Sequence, residues 1–473
     1  MVEREGQRPN IVCVVLDSVR AANCSVYGYS RATTPHLESL AQGGVLFEQA
    51  TSVGSWTLPV HTSLFTGLYP VRHGVTVSAA GLATDVPTLA EQLAAAGYRT
   101  ACFSNNAYIS SASGLTRGFE HVDEIWRVTH PRGVSLPRLS ERIKRLESRG
   151  PVLRPLVGLL RRAKRARTIL RAWRSRKDSG AEYTNARIRE WLRDSADDRP
   201  FFIFVNYMEA HEPYLPPYPF NGRFIPGRFS PWRVVRSTGR RDEILTQSGQ
   251  RREEDLQILE GLYDGTIRYA DERVAELTDL VTSVGGPDAT FLAVTSDHGD
   301  AFGEHGHLGH RLTLYEELLR VPMVIRYPPA FAPGMRVERP VSIADLHPTI
   351  LDVAGVGAGS DGDFTSLLHE AEARPIIAEN TGPKSIAGLV TRSFRSGKWK
   401  FLWRSDGRHE LYDLDADPVE RINLATSEPG TAYQLEAQLD TWMTDMAQRS
   451  VASDAADYDD ETLDRLRGLG YVG

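Results

Sequence analysis

Asp17, Thr57, His211, Asp297, His298 and His310 are residues of this 473-residue chain whose types could share one reaction. Three apolar runs lead into them: NIVCVVLDSVR reaches Asp17, PFFIFVNYMEAHEPY reaches His211, and ATFLAVTSDHGD ends at Asp297 and His298. Carboxylates and an imidazole offer hard oxygens and a nitrogen to a divalent cation. Taken singly, an Asp-His pair also reads as a turn, and Asp17 as the cap of a following helix. What favours the chemical reading is that two apolar strands would deliver these ligand types to one edge. GEHGHLGH then adds His305, His307 and His310 among glycines, with no apolar face to pack on. A surface loop accounts equally well for His305 and His307.

Thr57 opens TLPVHTSLFTGLYP, with Pro59 two residues on. As local grammar this is a helix N-cap followed by a proline in the first turn. The same position suits chemistry. A hydroxyl at a helix N-terminus, beside a divalent cation, would lose its proton more easily and face an anion that the helix dipole favours. Such an oxygen can attack phosphorus or sulfur. The reading expects Thr57 to cap the helix and to act as nucleophile.

These residues need elements to hold them. Continuous β-branched and aromatic runs read as strands buried on both faces. Between them lie helical patterns, VPTLAEQLAAAGYRT with its C-terminal Gly97 and DLQILEGLYDGTIRYADERVAELTDLVTSVGG. Alternation of this kind predicts a doubly wound, mostly parallel α/β sheet flanked by helices, with ligands gathering beyond the strands' carboxyl ends. The proline- and aromatic-rich segment 214–232 is expected to be an ordered loop over the site. Short strands from about residue 371 predict a smaller β-rich C-terminal subdomain. The expected division is a catalytic domain over 1–370 and an α+β subdomain over 371–473.

The net charge of −6 hides an asymmetry, because residues 131–180 hold 16 Lys/Arg against 3 Asp/Glu. A basic helical insertion over about 128–180 is therefore expected, either as a lid over an anionic substrate, as a patch for nucleic acid or acidic lipid, or as a solvated helical hairpin. Three cysteines without metal spacing exclude a disulfide scaffold or a zinc knuckle. No apolar run approaches the roughly 20 residues of a membrane span. The opening residues lack the apolar core of a secretory signal, so the expected compartment is the cytoplasm.

Seven segments, in order, resemble the sulfatase family of the alkaline-phosphatase superfamily: NIVCVVLDSVR, TTPHLESLAQGGVLFEQA, TLPVHTSLFTGLYPVRHG, TSDHGDAFGEHG, LYEELLRVPMVIRYP, IADLHPTILDVAG and WKFLWRSDGRHELYDLDADPVERINLA. The departures are informative. Thr57 stands where the family has the Cys or Ser that becomes formylglycine, and His61 stands in place of its Arg. The resulting T-x-P-x-H is similar to the nucleophile motif of the superfamily's nucleotide pyrophosphatase/phosphodiesterases. Asp17 is followed by Ser18 where a second Asp is usual, and the family's GKWHLG-type segment is missing.

Carried over position by position, the resemblance implies Asp17, Thr57, Asp297 and His298 as metal ligands and Thr57, His211 and His310 as catalytic residues. His61, Asn106, Tyr214 and Arg311 would contact substrate. One divalent metal ion is expected, zinc or manganese in preference to calcium, and no formylglycine. The implied function is a metal-dependent hydrolase of phosphate-type esters (phosphodiesters, or phosphonate or phosphate monoesters) acting through a covalent intermediate on Thr57. The alternatives are a group transferase using the same intermediate, a sulfate-ester hydrolase lacking formylglycine, and an inactive sulfatase-fold binding protein. The expected partner is a small-molecule or lipid-like anionic ester, not nucleic acid.

Overall fold

The computed structural model describes residues 8–76, 81–129, 177–194, 197–227, 233–234, 237, 250–310, 313–357, 361–369, 373–380 and 389–468. Most of the basic insertion, and Arg311, lie outside these residues.

Strands Asn10–Leu16 (β1), Val45–Phe47 (β2), Arg99–Ser104 (β3), His121–Glu124 (β4), Phe201–Tyr207 (β5), Thr290–Thr295 (β6), Met323–Arg326 (β7) and Met335–Val337 (β8) form one sheet. Their order is β8-β2-β7-β6-β1-β5-β3-β4. From β6 to β4 every pairing is parallel, whereas β7 runs against both of its neighbours. The mostly parallel, helix-flanked sheet expected from the sequence is present.

The unbroken apolar character of β1 follows from burial on both sides. Ile11, Cys13 and Val15 enter one hydrophobic cluster, and Val12, Val14 and Leu16 the other. Helix Thr57–Thr66 (α1) lies on the first face, contributing Leu58, Val60, Leu64 and Phe65. Leu89–Ala95 (α2), on the same face, begins with a capping box between Thr88 and Glu91 and is followed by Gly97 at φ 88°. Ala181–Arg193 (α3) and the long helix Gln250–Thr282 (α4) cover the second face. The segment after Tyr214 packs on α4. A Cβ on Gly265 would stand 2.6 Å from the Phe220 carbonyl oxygen, and one on Gly261 2.8 Å from that of Phe224. These two glycines cost helix propensity, about 1 kcal/mol each, and permit that close approach.

Beyond residue 371 the short strands form a four-stranded antiparallel sheet: Ile376–Asn380 (β9), Thr391–Ser396 (β10), Trp399–Arg404 (β11) and Glu410–Asp413 (β12). Pro429–Gln448 (α5) packs on it with Leu435 and Leu439. Ile377, Phe394, Phe401 and Leu411 join the cluster that α1 enters, so the smaller sheet supports the helix carrying Thr57. Among the described residues, no helix is long and apolar enough to cross a membrane.

Candidate active site

Asp17 directly follows β1, its amide donating to the Tyr207 carbonyl at 2.8 Å, and Asp297 and His298 lie just past β6. Because β1 and β6 are parallel neighbours, all three reach one carboxyl edge. Their ligand atoms lie within 4.8 Å of one another, and all three side chains are buried. Ser18 turns the chain at φ 65°, which aims its amide at Asp297 Oδ1 (3.0 Å). The His298 amide donates to the same oxygen at 2.9 Å. Tyr263 of α4 braces this turn, donating to the Ser18 carbonyl at 2.7 Å and accepting from the Arg20 amide at 2.9 Å.

The donor set fits a divalent cation. Asp297 Oδ2 is buried without a hydrogen-bond partner, 3.6 Å from His298 Nε2 and 3.8 Å from His61 Nδ1. Burial, and then the facing Asp297 carboxylate, push the Asp17 carboxyl well above its usual range. Burial also opposes the charge on Asp297, but His298, His61 and the two amides outweigh it and hold its pKa low. Among the described residues, neither carboxylate has a lysine or arginine as salt-bridge partner. Two buried carboxylates of this kind need positive charge. His298 Nδ1 donates to the Gly299 carbonyl at 3.0 Å, which leaves the lone pair of Nε2 available to a cation.

Thr57 is fully buried, with Oγ1 3.5 Å from His298 Nε2. Its expected capping role is corrected by the structure. Trp56 occupies the N-cap with extended backbone and makes no side-chain cap, and Thr57 is the first helical residue. One turn on, His61 Nδ1 donates to the Thr57 carbonyl at 2.8 Å, and its ring meets Phe204 edge-on. Burial holds the His61 imidazole neutral. His61 thus steadies the first turn of α1 beside Asp297.

Three histidine rings gather in a tilted row. His310 lies between His298 and His211, with ring centroids 4.7 and 4.9 Å away. Trp56 flanks the same ring at 5.6 Å. His310 Nδ1 faces Asp300 Oδ1 at 3.2 Å, and the other Asp300 oxygen accepts from the Tyr214 hydroxyl. Burial, then Asp300, keep that phenol protonated and donating. His211 Nδ1 donates to the Glu212 carbonyl at 2.7 Å, and burial followed by the neighbouring His310 push its pKa well down.

Asp17, Thr57, His61, His211, Asp297, His298 and His310 are therefore brought together. Asn106 joins them by holding Asp17. Its amide donates to Asp17 Oδ2 at 2.9 Å and contacts Met208 Sδ, while its carbonyl accepts from the Tyr108 amide. Tyr214 reaches the group through Asp300. Asp300, Ser18 and Tyr263 escaped the reading of the sequence. Asp300 alone had a signal, as the last residue of TSDHGD.

The sulfatase family model matches residues 9–356. A choline-sulfatase of Rhizobium meliloti is 26% identical over 448 residues, covering 90% of this chain and 84% of that protein. An arylsulfatase of Clostridium perfringens is 25% identical over 447 residues, covering 89% and 91%. Among solved structures, a phosphonate monoester hydrolase of Agrobacterium radiobacter shares the fold with a TM-score of 0.70 at 22% identity, covering 93% of this chain and 96% of that one. The chain belongs to the sulfatase family.

Proposed function

We propose that this enzyme hydrolyses phosphate-type esters through a covalent intermediate on Thr57. The carrying observation is that the Thr57 hydroxyl, at the first position of α1, lies 3.5 Å from His298 Nε2, beside the Asp17, Asp297 and His298 set. A threonine cannot become formylglycine, so the route through a collapsing aldehyde hydrate is closed. Direct attack by the hydroxyl remains. The likeness to phosphonate monoester hydrolases in fold is consistent with this choice.

Asp17, Asp297 and His298, with Thr57, would hold one divalent cation. Mixed oxygen and nitrogen donors suit zinc or manganese. When bound, such an ion supplies the positive charge that lowers the hydroxyl pKa and neutralises the phosphoryl oxygens. Thr57 Oγ1 gives its proton to solvent and forms a bond to phosphorus as the bond to the ester oxygen breaks. His310, backed by Asp300 at 3.2 Å, gives that leaving oxygen its proton. His211, neutral and holding its proton on Nδ1, would offer Nε2 as an acceptor at the same edge. Water then attacks phosphorus and gives a proton back to His310, the bond to Thr57 Oγ1 breaks, and that oxygen recovers a proton from solvent.

The curated relatives named above act, by their names, on sulfate esters, and the same nucleophile could take that substrate. One panel separates the readings: p-nitrophenyl phosphate, bis(p-nitrophenyl) phosphate, p-nitrophenyl phenylphosphonate and p-nitrophenyl sulfate, run on wild type and Thr57→Ala with metal analysis. Turnover of a phosphate-type ester that Thr57→Ala loses supports the proposal. Turnover of the sulfate ester alone refutes it.

A further inference from the structure

The loop carrying Asp300 and His310 is a small hairpin. Ala301–Phe302 pairs antiparallel with Leu308–Gly309, and Gly303 and His307 close its tip through a 2.8 Å backbone bond. His305 sits at that tip with φ 49°, between Gly303 at 107° and Gly306 at 76°. A β-carbon is rarely held in the left-handed region unless its surroundings over-determine it. The side chain supplies the reason. His305 Nδ1 contacts Glu317 Oε1 at 2.9 Å, and Nε2 contacts the backbone carbonyl of Glu420, also at 2.9 Å. A carboxylate and a carbonyl both accept, so both ring nitrogens must donate, and only the imidazolium has two N–H groups. The ring also stacks flat on Tyr315, with centroids 3.7 Å apart and planes 7° from parallel.

The receiving surface joins the Tyr315–Glu317 segment to the turn at Glu420, which follows the C-terminal sheet. Glu420 has φ 57° and is buried, and its carboxylate accepts from the Glu316 amide and from Lys400 Nζ of β11. Lys400 also pairs with Glu316 at 2.7 Å, and Tyr315 donates to Glu410 of β12 at 2.9 Å. On the hairpin itself, Glu304 is engaged by Arg20, which donates as well to the Asp300 carbonyl. The charged and titratable groups on the ring are Glu317, Glu420 and Tyr315, with Glu316, Lys400 and Glu410 paired behind them. Carboxylates dominate among them.

We propose that His305 is a positioning residue: as a doubly donating imidazolium it locks the hairpin tip to the Tyr315–Glu317 segment and the C-terminal turn at Glu420, and thereby sets His310 and Asp300 at the hairpin base. The lock rests on the reading of His310 as part of the catalytic group. It gives the C-terminal turn at Glu420 a role in the reaction without touching substrate. Although burial lowers it, the Glu317 hydrogen bond and charge, followed by Glu420, raise the His305 pKa to about 9. The lock is therefore present through neutral pH and is released as pH rises through that value.

The test joins an activity readout to one that needs no substrate. Nitrogen-15 NMR of histidine-labelled enzyme should show both His305 nitrogens protonated at pH 7.5, with assignment by loss of the signal in His305→Gln. Hydrogen exchange at pH 7.5 should speed up in a peptide covering 299–310 of His305→Gln by about tenfold, with the exchange of β1 and β5 unchanged. With bis(p-nitrophenyl) phosphate, His305→Gln should lose about tenfold in kcat with KM within twofold. His305→Arg, with permanent charge and several donors, should recover most of kcat and extend activity past the wild-type alkaline limb. A singly protonated His305 at pH 7.5, or unchanged exchange in 299–310, overturns the proposal. If no ester is turned over, exchange and NMR still decide the lock, and that failure falls on the proposed reaction instead.

Discussion

Asp300→Asn isolates the electrostatic support of His310 from its packing. Asp300 is fully buried, takes the Tyr214 hydroxyl on one oxygen and faces His310 Nδ1 at 3.2 Å with the other. The amide keeps the shape and removes the negative charge. A hydrogen bond to a charged group contributes about 1.5–3 kcal/mol. If that stabilisation is made in the transition state, where His310 shifts a proton, kcat falls by about 10- to 150-fold. KM should stay within about threefold, because Asp300 contacts His310 and not the ester. Tyr214→Phe removes only a neutral donor to the same carboxylate, so the loss should be about 2- to 10-fold. The assay is steady-state hydrolysis of bis(p-nitrophenyl) phosphate from pH 5 to 10, with metal content measured on each variant. A kcat for Asp300→Asn within threefold of wild type, at unchanged metal content, would refute the role assigned to His310.

Three further outcomes follow from the same geometry. Lys400→Met strands Glu316 and Glu420 as buried, unpaired carboxylates and should cost about 3–5 kcal/mol in urea unfolding; a loss below about 1 kcal/mol contradicts the burial argument. Gly265→Ala pushes a Cβ to within 2.6 Å of the Phe220 backbone oxygen. Overpacking of about 1–3 kcal/mol should outweigh a helix-propensity gain of roughly 1 kcal/mol, and a more stable variant would show that the loop yields freely. Removing divalent ions by chelation should abolish turnover and lower Tm, because an ion at about 100 times its Kd stabilises the fold by about 2.7 kcal/mol. Full activity and an unchanged Tm in ion-free enzyme would contradict the metal assignment.

The edge that carries the chemistry was legible where one chain segment holds the whole signal. Asp17, Asp297 and His298 each follow a run that is apolar on both faces, and such runs are read from composition alone. Thr57 was legible as a residue but not in its role as cap, because Trp56 takes that place through backbone geometry that no side-chain type announces. The contacts that orient the site were not legible, since they join distant segments: Asn106 to Asp17, Tyr214 to Asp300, Tyr263 to Ser18. Nothing local in MVIR distinguishes the antiparallel β7 from its parallel neighbours. His305 read equally as a loop residue, and its double acceptor environment exists only once the C-terminal turn at Glu420 has folded beside it.

Everything in the proposed reaction depends on Thr57 forming the covalent bond to phosphorus. Rapid-quench mass spectrometry of the enzyme mixed with excess bis(p-nitrophenyl) phosphate tests it most directly. A burst of p-nitrophenol is expected together with a phosphoryl ester mapped to the peptide containing Thr57, both absent from Thr57→Ala. An adduct on another residue, or Thr57→Ala turning over at the wild-type rate, would contradict it.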